Sequence, residues 1–241
     1  MSILKPIIKV QNLTVKYDSN IILEDISFDV YPGEIIMIAG GSGCGKTTLL
    51  NQMIGLYKPA FGSILIDDQK INESLDKIGV LYQSGALFGS MTLLQNVSLP
   101  LEELTSLPPE AISAIANNKL KLVGLQDYGS YLPAQISGGM QKRTALARAM
   151  ALDPKILFLD EPSSGLDPIT TEELDKLIVS LSQTLKVTFV IVSHNLGSIY
   201  KIAHRVIMLD KKRIIAQGKP DELKHHANIL VRNFFGAGIY E

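Results

Sequence analysis

Three observations predict an α/β fold built on a parallel sheet covered by helices. The apolar run Ile35-Ile36-Met37-Ile38-Ala39 leads into the glycine-rich stretch Gly40-Gly41-Ser42-Gly43-Cys44-Gly45-Lys46-Thr47 and then a helical pattern over residues 48–54. Two more runs, Ile156-Leu157-Phe158-Leu159 and Val187-Thr188-Phe189-Val190-Ile191-Val192, are almost wholly apolar, as strands buried on both faces are. Residues 7–30 instead show partial period-two alternation, which predicts an antiparallel subdomain beside the core.

In chain order, residues 7–17 and 21–30 read as a hairpin around the polar turn Asp18-Ser19-Asn20, closed by Pro32-Gly33. The helix after the glycine-rich loop should stop at Gly55, with Pro59 just beyond. Residues 63–66 and 78–82 read as short strands, the second ending at Gln83. The character then changes: residues 96–104 and 109–123 predict a helical insertion with turns at Gly124, Gly129 and Pro133. Ser137 fits an N-cap for a helix to about Ala151, closed by Asp153-Pro154. Asp167 and Pro168 start another, running to about Leu185. Strands over 205–209 and 213–216 and short helices from Pro220 complete the chain. The expected organisation is one domain over residues 1–241. Within it, an antiparallel β subdomain (residues 1–34) precedes the phosphate-loop segment of the core (35–83), a helical subdomain (84–151), the remaining core (152–218) and a helical tail (219–241).

Composition narrows the function. With 46% apolar residues the chain is globular, and a net charge of −1 argues against gripping nucleic acid, which needs clustered positive charge. Cys44 is the single cysteine, so no internal disulfide forms and a reducing compartment is expected. No apolar run approaches the roughly 18 residues of a spanning helix, and residues 1–10 lack a signal-peptide core. Any membrane role is therefore expected to come through a partner. Lys211-Lys212-Arg213, with Lys201, Arg205 and Lys224 nearby in sequence, reads as a solvated strand turn rather than a face for anionic headgroups, and Phe234-Phe235 is expected to dock on the body or on a partner rather than to insert in lipid.

The glycine-rich stretch fits the phosphate-binding loop G-x-x-x-x-G-K-[ST], in which backbone N–H groups and a helix N-terminus surround an anion. Lys46 would reach the β- and γ-phosphates of ATP, and Thr47 would place its hydroxyl on Mg²⁺. Asp160 and Glu161 arrive at the carboxyl end of a buried strand, where open α/β sheets hold their ligands. There Asp160 would hold Mg²⁺ through water and Glu161 would orient the attacking water. Ser137-Gly138-Gly139 opens a second glycine-rich helix start without a lysine, a candidate to serve the ATP of another subunit.

The phosphate loop, Gln83, Ile136-Ser137-Gly138-Gly139-Met140, Ile156 to Glu161, Ser164-Gly165-Leu166-Asp167 and His194 stand in the order and approximate spacing of an ABC-type ATPase, which the chain resembles over nearly its whole length. The resemblance implies a head-to-tail homodimer with two ATP, each between one chain's phosphate loop (Gly40 to Thr48) and the other's Ser137-Gly138-Gly139. It also implies that Tyr17 stacks on adenine, Gln83 touches Mg²⁺ and senses the γ-phosphate, Asp167 crosses the dimer seam and His194 contacts the γ-phosphate. Two signature positions differ from the commonest pattern: Ile136 replaces leucine and Met140 replaces glutamine.

Ser84-Gly85-Ala86-Leu87-Phe88, Met91, Asn96-Val97, Pro100-Leu101, Gly139-Met140, Arg143, Leu146-Ala147-Arg148-Ala149 and Asp167-Pro168-Ile169-Thr170 are similar to the ATPase subunits of Mla-type bacterial lipid transporters. That likeness implies an MlaE-like membrane permease, a periplasmic MCE lipid-binding protein (MlaD-like), a small STAS-domain partner (MlaB-like), phospholipid cargo and a place on the cytoplasmic side of the inner membrane. Two other readings stay open: a transporter for a small polar solute, and a soluble ABC protein without a permease.

Overall fold

The computed structural model describes residues 5–236; the last five residues of the expected tail and the first four of the segment that lacks a signal-peptide core lie outside them. Strands β1 (Ile8–Tyr17) and β2 (Asn20–Val30) pair antiparallel as the alternation predicts, with Tyr17 opposite Asn20 at the tip. β4 (Phe61–Ile66) and the two-residue β5 (Gln69–Lys70) join them in the order β2-β1-β4-β5. β5 is too short to carry a periodicity, and the sequence does not predict it.

β3 (Ile35–Gly40), β6 (Ile78–Leu81), β7 (Ile156–Asp160), β8 (Thr188–Val192), β9 (Arg205–Asp210) and β10 (Arg213–Gly218) form the second sheet, ordered β10-β9-β3-β8-β7-β6. All its pairs are parallel except β10 on β9. Every residue of β3, β7 and β8 is buried, so the continuous apolar runs follow from cover on both faces. Each fully buried Ile, Leu or Phe contributes about 1.5–3 kcal/mol relative to exposure, which makes these strands the rigid base of the site. The two sheets are joined through Arg205, whose Nε donates to Glu34 Oε1 at 2.7 Å and whose Nη2 donates to the Asp29 carbonyl.

Helix α1 (Lys46–Met53) ends as its sequence predicts. Gly55 takes φ 78°, its N–H donates to the Gln52 carbonyl and the Leu56 N–H to the Asn51 carbonyl, a paired closure that suits glycine. α2 (Leu93–Leu104) starts three residues before the expected 96. The reason is a reciprocal cap: Thr92 Oγ1 accepts from the Gln95 N–H while Gln95 Oε1 accepts from the Thr92 N–H. Pro100 inside this helix removes one backbone donor, and the buried Asn96 side chain ties the preceding turn by bonds to Phe88, Met91 and Thr92. α3 (Pro109–Leu122), α4 (Gly138–Ala149) and α5 (Pro168–Leu185) match expectation within two residues.

α6 (Leu196–Ile202) goes beyond the sequence expectation, because Gly197 and Ser198 in its first turn weaken the pattern; Asn195 caps it by accepting from the Ser198 N–H at 3.1 Å. α7 (Pro220–Leu223) and α8 (Ile229–Gly236) follow β10. Phe235 is fully buried and its carbonyl accepts from the Tyr200 hydroxyl at 2.6 Å, so Phe234-Phe235 docks on the body, against α6.

Candidate active site

The phosphate loop leaves β3 at Gly40, where φ is 146°. A Cβ there would lie 2.3 Å from the Leu209 carbonyl oxygen and 2.7 Å from Cys44 Sγ, so neither the conformation nor the space admits a side chain. Gly40→Ala is accordingly expected to weaken ATP binding by at least about tenfold and to lower the melting midpoint. Equilibrium nucleotide binding and a thermal melt check this, and wild-type values in both would show that the β3–β9 backbone can give way.

Lys46 Nζ is 2.9 Å from the carbonyls of both Gly40 and Gly41, which holds the ammonium across the loop. Residues Gly43, Gly45, Lys46, Thr47 and Thr48, with Ile22 from β2, line a shallow hollow of about 170 Å³. Ser42, like Gly41, is exposed on the loop, whereas Cys44 is half-buried and burial pushes its thiol pKa up. An uncharged small filler fits that environment better than a nucleophile.

Asp160 ends β7 with only 6% of its surface exposed. Burial first, and then the charge of Glu161, push its pKa up, while the Thr47 hydroxyl, Lys46 and Lys142 act the other way. Asp160 Oδ1 is buried without a hydrogen-bond partner among the described residues. An unpartnered carboxylate oxygen beside a threonine hydroxyl suits a hard cation such as Mg²⁺. Among the described residues no group of three or more His, Cys, Asp or Glu is arranged to hold a metal by itself, so phosphates and water would have to supply the other ligands.

Glu161 takes φ 45°, a left-handed conformation costing roughly 1–2 kcal/mol for a residue with a Cβ. Its N–H still donates to the Val192 carbonyl at 2.9 Å, so the ladder to β8 continues one residue past β7 before the chain turns. Glu161 Oε1 lies 2.8 Å from His194 Nδ1, with the carboxylate largely buried and the imidazole exposed. Gln83, after β6, donates from Nε2 to Ser164 Oγ at 3.3 Å.

Loop, acids, Gln83 and His194 thus gather at the carboxyl ends of β3, β6, β7 and β8. Ser137, Gly138 and Gly139 belong to a second cluster. Ser137 Oγ caps α4 by accepting from the Met140 N–H at 3.3 Å. Leu166 neighbours Gly138, and a Cβ on Gly139 would meet Thr170 Cγ2 at 2.3 Å. Asp167 sits in this cluster as the N-cap of α5, accepting from the N–H groups of Ile169 and Thr170 and from the Thr170 hydroxyl at 2.6 Å; these bonds, the hydroxyl foremost, hold its pKa down. Tyr17 is 42% exposed at the hairpin tip and edge-on to Tyr57, with ring centres 6.0 Å apart.

Sequence reasoning missed Ser164 as the partner of Gln83, Tyr57 as the neighbour of Tyr17, and Lys142. The last left a signal: a lysine three residues from Gly139 and four from Leu146 shares their buried helical face.

Comparison with known proteins identifies the family. The profile of the ABC transporter family matches residues 23–164. The probable ribonucleotide transport ATP-binding protein mkl of Mycobacterium leprae is 41% identical over 94% of this chain and 68% of its own length. The intermembrane phospholipid transport system ATP-binding protein MlaF of Haemophilus influenzae is 38% identical over 95% of this chain and 89% of its own. The putrescine transport ATP-binding protein PotG of Escherichia coli is 35% identical over 92% of this chain and 60% of its own. Among solved structures, cbiO1 of Clostridium perfringens, part of the ABC transporter complex cbiONQ, superposes with a TM-score of 0.85 at 30% identity, over 95% of this chain and 94% of that one. A dimeric ATP-binding cassette, MJ0796, bound to ADP and Pi superposes with a TM-score of 0.80 at 31% identity, over 88% of this chain and 98% of that one. A phosphate loop on β3, paired acids closing β7 and this breadth of likeness place the chain in the ABC transporter family, as an ATP-binding and ATP-hydrolysing subunit.

Proposed function

We propose that the chain acts as one half of a head-to-tail homodimer on the cytoplasmic side of a bacterial inner membrane, hydrolysing ATP to drive a membrane permease that moves phospholipid. The observation that carries the paired reading is the division of the site: Ser137-Gly138-Gly139 groups with Leu166 and Thr170, not with the phosphate loop. A second copy turned head to tail would bring that cluster over the loop, and the MJ0796 cassette is itself a dimer bound to ADP and Pi.

In this reading Gly40 to Thr48 cradle the triphosphate through backbone N–H groups, with Lys46 turning from its carbonyls to the β- and γ-oxygens. Thr47, Gln83 and, through water, Asp160 would hold Mg²⁺. When bound, the ion offsets the charge on the β- and γ-phosphate oxygens. Glu161 orients the attacking water and accepts its proton at the carboxylate. His194, 2.8 Å from that carboxylate, fixes its position and meets the γ-phosphate. The partner copy's cluster supplies backbone N–H groups from the start of α4 and Asp167 at the seam, while Tyr17 stacks on adenine.

Among the described residues no helix is long and apolar enough to cross a membrane, and in this reading a permease supplies the route. A groove of about 220 Å³ at the seam of β6, α2 and α4, with exposed Leu75 and Leu104 at its edge, is our candidate seat for a permease helix. The phospholipid assignment rests on the likeness at residues 84–101 and on the match along 89% of the MlaF relative, against 68% and 60% of the mkl and PotG relatives. Those two names favour the second reading, a small polar solute. Affinity purification of the chain with its membrane partner, followed by lipid analysis, is expected to yield bound phospholipid and MlaE-, MlaD- and MlaB-like subunits. A partner that carries only a soluble solute would end the lipid assignment.

A further inference from the structure

Lys142 and Arg148, two cations on α4, take no part in the hydrolysis steps above, although Lys142 acts on Asp160 and Arg148 lines the groove beside β6; both reach the same stretch of backbone. Lys142 is 7% exposed, and its ammonium donates to the carbonyl of Gln83 itself. Arg148 forks onto the next turn, with Nη2 2.8 Å from the Gly85 carbonyl and Nη1 2.7 Å from the Ala86 carbonyl. Gly85 and Ala86 take φ of 73° and 48°, a left-handed pair that is unfavourable for the alanine and directs two successive carbonyls where one guanidinium can bind them. A buried lysine carries a heavy desolvation cost, so its place needs a compensating partner; beyond the Gln83 carbonyl it feels the negative charges of Asp160 and Glu161.

The same helix opens at Ser137-Gly138-Gly139 and is tied to α5 by the Arg143–Glu173 ion pair. We propose that Lys142 and Arg148 are positioning residues that clamp the 83–86 loop to α4, so that the Gln83 side chain and the Ser137-Gly138-Gly139 turn of one chain move as a single body. Occupancy at the chain's own phosphate loop, felt at Gln83, would then set the orientation of the turn that this chain offers to its partner's nucleotide. This rests on the roles proposed above for Gln83 and Ser137. Charge-assisted bonds to a backbone carbonyl are strong enough to hold such a unit through a rotation of the helical subdomain, and both cations must let go for the loop to move alone.

Steady-state ATP hydrolysis by the purified chain separates clamp from scaffold. Lys142→Met and Arg148→Met are each expected to lower kcat about tenfold while KM for MgATP stays within about twofold, since the loss falls on the closed, reacting state. Lys142→Arg and Arg148→Lys should recover most of that kcat, and the double Met variant should be no slower than the slower single one, because the two act as one device. Unchanged kcat in both single variants would overturn the proposal. So would losses that multiply in the double variant, or a rise in KM with a lowered melting midpoint that the conservative variants do not restore. If Lys142→Met does not fold, the Arg148 pair, whose side chain is only partly buried, carries the same comparison. Gln83→Ala is the control: a lowered kcat there with normal Lys142→Met and Arg148→Met defeats the clamp alone, whereas a normal kcat in Gln83→Ala removes the reading beneath it.

Discussion

Replacing Glu161 by Gln is expected to slow ATP hydrolysis by about 10²- to 10⁴-fold while leaving MgATP binding intact. The amide keeps the side chain's size and its contact with His194, 2.8 Å from the present carboxylate, but it cannot accept a proton from water. The phosphate loop, Thr47 and Asp160 are untouched, so nucleotide should still enter. With binding preserved and the chemical step blocked, dimers closed over ATP should accumulate, visible as an ATP-dependent shift to twice the mass in size-exclusion chromatography. Turnover near the wild-type rate would remove Glu161 from the mechanism and leave its strained φ of 45° without a catalytic explanation.

The second large effect is expected at the other cluster. Ser137→Arg should abolish hydrolysis while preserving ATP binding to the isolated chain. Ser137 is exposed, and its side chain's hydrogen bond among the described residues is the cap on the Met140 N–H, whose loss costs about 1 kcal/mol and should leave the fold intact. Ser137→Ala removes the same cap without filling the space in front of it, so the difference between the two variants isolates steric occlusion of a partner's nucleotide. Full hydrolysis by the arginine variant, or by wild-type protein held monomeric, would sink the composite site.

Much of the fold was legible because burial on both faces leaves an unmistakable residue pattern. β3, β7 and β8 read as continuous apolar runs, and Gly40 and Gly45 of the phosphate loop hold positive φ where a Cβ would clash, a path that side chains cannot follow. Caps were equally local: Ser137 and Asp167 announced α4 and α5, and both do cap them. Where local signals conflict the reading failed. Gly197 and Ser198 hid α6, whose helical state depends on Ile199 and Ile202 being buried against the rest of the chain. β5 exists only because β4 offers it an edge.

Order along the chain was therefore enough to point to a phosphate loop and to the paired acids Asp160 and Glu161, since each is a local demand of phosphate chemistry on consecutive residues, and the order and spacing of the motifs gave the resemblance to the ABC family that the comparisons bear out. Tertiary structure alone decided which distant groups meet: His194 with Glu161, Gln83 with Ser164, Lys142 with the Gln83 carbonyl, and Gly139 with Thr170. The physical reason is that these pairings are made across strand ends and helix faces set by sheet order and helix packing, and no short-range preference of a side chain encodes which strand will lie next to which.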